Sequence, residues 1–88
     1  MLILPIFFEL IMAFEETLTA EEIARHYSAA LDSVNLINEL MAKDSRDEEE
    51  VDTVDRNVRH LEIMVAKDFW TADQDLGVLH AAIAAGQA

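Results

Sequence analysis

Apolar residues along this chain recur at helical intervals. After Thr19 they fall at Ala20, Ile23, Tyr27, Ala30, Val34, Ile37 and Met41, in alternating steps of three and four. That spacing keeps one face of a helix apolar with a heptad-like rhythm. Ala29, Ser33, Leu36 and Leu40 widen the face toward its end. A second run, Val51, Val54, Val58, Leu61 and Val65, repeats the pattern, with Ile63 and Met64 beside it. A third and shorter run is Leu76, Leu79 and Ile83, flanked by Val78 and Ala82.

Each run is preceded by the same polar signature. Thr19–Glu22, Ser45–Glu48 and Thr71–Gln74 place a hydroxyl three residues before Glu or Gln, the pattern of a capping box. Leu18 and Ile23 add a hydrophobic staple to the first. The pattern predicts helices over 19–43, 46–68 and 71–86. The first, at 1.5 Å per residue, should be about 35 Å long. With only Lys43, Asp44 and Ser45 between the first two, they should form an antiparallel hairpin. Gly86 suits a position just past a helix end. Gly77, inside the last helix, suggests close packing, because glycine there costs about 1 kcal/mol against alanine.

Residues 1–16 form a fourth expected helix, with Pro5 in its first turn. Met1 to Phe14 is apolar except for Glu9, and a helix without a polar face wants burial on several sides. The stretch is too short to span a membrane and lacks the basic start of a signal peptide, which favours a cytoplasmic protein. Met12 is an alternative natural start.

Length and composition turn this pattern into a statement about partners. Eighty-eight residues make a single helical domain, 1–88. Such a chain buries only roughly 60–65% of its unfolded surface, yet 52% of its residues are hydrophobic. The expected architecture is therefore all-α: a helical hairpin with an N-terminal and a C-terminal helix, assembled as an oligomeric bundle. A homodimer with a four-helix core is the default. Interface candidates are Ile6, Phe7, Phe8, Leu10, Ile11, Phe14, Tyr27, Val34, Ile37, Met41 and Trp70.

Charge and chemistry narrow the function. A net charge of −12 repels a phosphate backbone and an anionic membrane surface, so neither nucleic acid nor membrane is an expected partner, whereas a basic protein is. There is no cysteine, so thiol chemistry is excluded. Ser28, Ser33 and Ser45 lie in no nucleophile motif, and no glycine loop could cradle phosphate. The histidines, His26, His60 and His80, lack ligand spacing; Glu22 and His26, one turn apart, make at most half a site. No cofactor or metal is expected, and a non-enzymatic protein acting through self-association is.

Two alternatives come from the acidic run. Glu48, Asp52 and Asp55 could present a carboxylate row that imitates nucleic acid and inhibits a basic partner. Glu48-Glu49-x-x-Asp52 also resembles the first half of the Glu-Glu-x-x-Glu pattern of all-α nucleotide pyrophosphohydrolases, which implies a divalent-metal phosphohydrolase. Finally, Trp70-Thr71, Asp75-Leu76, Leu79, Ala82-Ile83 and Gly86 together are similar to a helical segment of small bacteriophage proteins, head-completion types among them. The resemblance implies a phage or bacterial accessory protein and assigns no functional residue.

Overall fold

A computed structural model describes residues 18–88. Three helices form there: α1, Ala20–Met41; α2, Glu48–Val65; and α3, Leu76–Gly86. No strand occurs among the described residues. The expected N-terminal helix, with Ile6, Phe7, Phe8, Leu10, Ile11 and Phe14, lies outside them.

The hairpin of α1 and α2 forms as the short connection predicted. α3 runs alongside α1 in the same direction and packs on both long helices. The core lies on the shared axis: Ala30, Val34 and Ile37 from α1, Val54, Val58 and Leu61 from α2, Leu79 and Ala82 from α3. Burying such side chains out of water is the main force holding the helices together, about 1.5–3 kcal/mol for each large one. Val34 and Ile37, expected at an interface between copies, are instead enclosed by the chain's own α2 and α3. The third helix uses the stripe that a second copy was expected to cover. Met64 joins the buried side, but Ile63 points outward and is 59% exposed.

Capping decides where the helices begin. Thr19 closes its box with Glu22 as expected: the Glu22 amide donates to Thr19 Oγ1 (3.1 Å) and the Thr19 amide to Glu22 Oε1 (3.1 Å). The second start differs. Asp47, not Ser45, caps α2, and Glu50, not Glu48, closes the box. The Glu50 amide donates to Asp47 Oδ1 at 2.8 Å, and the Asp47 amide to Glu50 Oε1 at 3.0 Å. Aspartate caps as well as serine, so local propensity leaves two registers open. Arg46 chooses between them. Its Nη1 donates to Leu40 O (3.2 Å) and Lys43 O (3.0 Å), serving carbonyls at the end of α1. Lys43 Nζ donates across the turn to Glu50 Oε2.

The third start differs more. Thr71 and Gln74 do meet, the Thr71 amide donating to Gln74 Oε1 at 3.0 Å. Yet Thr71 Oγ1 accepts from Asp73 rather than Gln74, and the segment closes as a turn. α3 begins at Leu76 with Asp75 as its cap, Asp75 Oδ1 accepting from the Gly77 amide at 2.9 Å. Contacts with other elements hold the connection in that shape. Trp70 Nε1 donates to Met64 O (2.8 Å), and the Tyr27 hydroxyl donates to Asp75 O (2.9 Å).

The two glycines exchange their expected roles. Gly86 is the last residue of α3, and its φ is not positive. A Cβ there would run into Val58 Cγ2 and crowd Ile37 Cγ2 and Val54 Cγ1, both at 3.3 Å. Gly77 is exposed, and a Cβ there would meet only the Asp75 carboxylate at 3.0 Å. The close approach is thus at Gly86. No helix among the described residues is long and apolar enough to cross a membrane.

Candidate functional site

Three places in the fold gather side chains with chemistry to offer. The first is an aromatic corner where α1 meets the 66–75 connection. Phe69 and Trp70 stack edge to face with ring centres 4.7 Å apart, and Tyr27 stands edge-on to Trp70 at 6.0 Å. His26 lies over Phe69 at 5.3 Å. Edge-to-face pairs of this kind contribute about 0.5–1.5 kcal/mol beyond the area they bury. Tyr27 and Trp70, both interface candidates, are half-buried here and spend their polar atoms on the chain's own carbonyls. His26 is exposed and lines a shallow depression with Glu22 and Arg25.

The second place is the acidic side of α2. Glu48, Asp52 and Asp55 are all exposed, as the carboxylate-row reading requires. Asp52 pairs with Arg56 (3.2 Å) and Asp55 with Arg59 (3.5 Å), one turn along. These bridges lower the charge that a basic partner would meet. Among the described residues, no three His, Asp or Glu side chains converge as a metal site would need. Glu48, Glu49 and Asp52 remain a sequence pattern without a shared centre.

The third is a cleft of about 180 Å³ at the end of the bundle where α1 finishes, α2 starts and α3 finishes. Met41, Val51, Val54 and Gly86 supply its apolar lining, with Arg46 and Asp55 at its edge. Val51, expected in the core stripe of α2, is 54% exposed.

Contacts that were not legible in the sequence include Ser33 with His60 and His26 with Phe69. Both join residues on different elements, and no spacing along the chain signals them. The remaining histidine, His80, is exposed on α3.

Electrostatics sharpen at two helix starts. The Thr19 amide and hydroxyl, both donating to Glu22, hold its carboxyl below the ordinary value of 4.5. The Lys43 ammonium, with the Asp47 amide, does the same for Glu50. In both cases donors favour the charged form; the effect belongs to the cap at Glu22 and chiefly to the Lys43 pair at Glu50.

No known protein family, curated protein or solved structure matches this chain.

Proposed function

We propose that this chain is a non-enzymatic helical protein that acts through protein contacts, first of all with copies of itself. The observation that supports the reading is apolar surface left open by three helices. Val51, Ile63 and Val78 remain exposed, Val78 at 37%. Met1 to Phe14 adds an almost wholly apolar stretch of sequence. Solvated side chains of this size gain free energy by leaving water, and a dimer is the smallest closed assembly that offers them a place. An accessory role in a phage or a bacterium is the setting that the resemblance of segment 70–86 suggests, and a cytoplasmic one is what the start of the sequence favours. Sedimentation equilibrium of the full chain is the test. A mass that climbs from 9.9 kDa with concentration supports the reading; a monomer up to millimolar concentration removes it.

The exposed row Glu48, Asp52 and Asp55 favours a second reading, an acidic inhibitor seated in a basic groove. Salt separates the two. Screening weakens attraction between opposite charges and relieves repulsion between like ones. Added salt therefore loosens a complex with a basic partner and tightens self-association.

A further inference from the structure

The outward side of α3 differs from that of its neighbours. α1 carries Glu21, Glu22, Asp32 and Glu39 against Arg25 alone. α2 carries six acids against Arg56 and Arg59. From Leu76 to Gly86 there is no Asp, Glu, Lys or Arg. Leu79 and Ala82 turn inward and are buried, while Gly77, Val78, His80, Ala81 and Ala84 face solvent. A helix on the surface of a small bundle normally covers its outer side with charge, and one that is apolar all round is normally buried all round. Here only one side is.

We propose that this uncharged side of α3 is where a second copy of the chain docks, helix against helix about a two-fold axis. The inference rests on the self-association reading above and names the surface for it.

Charge selects that surface. In a two-fold contact the same patch lies on both partners, so a residue near the axis meets its own copy. Any charge there meets its like, and with −12 on each chain the charge is mostly carboxylate. Pairing through the outer sides of α1 or α2 would set acid against acid, which costs several kcal/mol across an interface. Among the described helices, α3 alone can be doubled without that cost. Its side chains also permit close approach. With Ala81 and Ala84 at the seam and Val78 beside it, the axes can come to about 8 Å, the near limit of helix packing.

Size sets the strength. α3 is about 16 Å long at 1.5 Å per residue, so two such faces bury well under the roughly 1,200 Å² typical of stable complexes. The contact belongs with weak, reversible interfaces, and the dimer forms by mass action at high local concentration.

The test uses the full chain and three variants, by sedimentation equilibrium from micromolar to millimolar concentration at low and high salt. Ala81→Glu and Ala81→Lys each place a charge at the seam, of opposite sign. Asn35→Glu adds the same acid on the outer side of α1. Ala81 and Asn35 are both exposed, and circular dichroism verifies that each variant keeps its helices. The unaltered chain should rise in mass with concentration, and more steeply at high salt. Both Ala81 variants should stay near 9.9 kDa while Asn35→Glu follows the unaltered chain. If the unaltered chain associates and the Ala81 variants do so equally, the surface is wrong and the self-association reading stands. If Ala81→Glu and Asn35→Glu fail alike while Ala81→Lys associates, net charge and not this face controls assembly. If the unaltered chain never exceeds monomer mass, the broader reading falls, and this inference with it.

Discussion

Ser33 Oγ and His60 Nδ1 lie 2.9 Å apart between α1 and α2, a polar contact set beside an otherwise aliphatic seam. Ser33 is 6% exposed and is the one buried polar side chain among the described residues. A buried hydroxyl left without a partner is costly, so this pair also aligns the two long helices lengthwise. Ser33→Ala should lower unfolding free energy by about 1 kcal/mol in urea. The double variant Ser33→Ala/His60→Leu should cost less than the two single changes together, because neither partner is then stranded. Strict additivity would mean that the contact carries no energy.

The glycines of α3 should respond unequally to alanine. Gly86→Ala drives a methyl group into Val58 and against Ile37 and Val54, and overpacking of this kind costs about 1–3 kcal/mol despite the gain in helix propensity. At Gly77 the only near neighbour is Asp75 Oδ1, the atom that caps α3, so in Gly77→Ala a gain in helix propensity of about 1 kcal/mol is offset by a loosened cap and the net change should be small. Thermal unfolding of both variants provides the comparison. A harmless alanine at 86 would mean that α3 does not pack as closely as described.

Asp47 and Ser45 offer a direct test of the register of α2. Removing an N-cap costs about 1 kcal/mol, so Asp47→Ala should reduce stability by that order while Ser45→Ala stays within about 0.5 kcal/mol of the unaltered chain. The reverse order, read from urea midpoints, would return the cap to Ser45.

Acid should loosen the starts of α1 and α2. Glu22 and Glu50 have carboxyls held below the ordinary 4.5, by Thr19 and chiefly by Lys43 respectively. A group whose pKa is lower folded than unfolded contributes stability above its unfolded pKa. That contribution fades as the pH falls from 4.5 through the folded values. Urea midpoints should therefore drop in that window, and the combined Glu22→Gln/Glu50→Gln variant should show a shallower drop. An unchanged slope would assign the acid response to other carboxylates.

Trp70 is the sole tryptophan, and its indole is tied to Met64 O near the end of α2. Its fluorescence should change in the same transition as helical circular dichroism, since the corner joins α1, α2 and the connection to α3. Tyr27→Phe removes the bond to Asp75 O and should cost about 0.5–1.5 kcal/mol. If fluorescence shifts first, the corner opens before the bundle.

The helices themselves were legible because their signals are local. Periods of three and four are written in neighbouring residues, and Thr19 with Glu22 closes within a single turn. Caps at Ser45 and Thr71 were misplaced because an equally good local pattern, or a tertiary bond, competed for the same turn. Asp47 prevails once Arg46 reaches back to α1, and Asp75 once Tyr27 holds its carbonyl. The proposed docking face was half legible. The lack of charge from Leu76 to Gly86 is plain in the sequence, but such a run reads as buried on every side.

From the order of its residues alone, then, this chain is helical, acidic and folded back on itself at residues 42–47, because hydrogen bonding and apolar periodicity act over a few positions. Which apolar residues are spent on the chain's own core and which remain for a partner is decided by how three helices share one axis. Val34 and Ile37 disappear beneath α3, while Val78 and Ile63 stay in water. Burial depends on what lies across the gap, and the residues across the gap are tens of positions away along the chain.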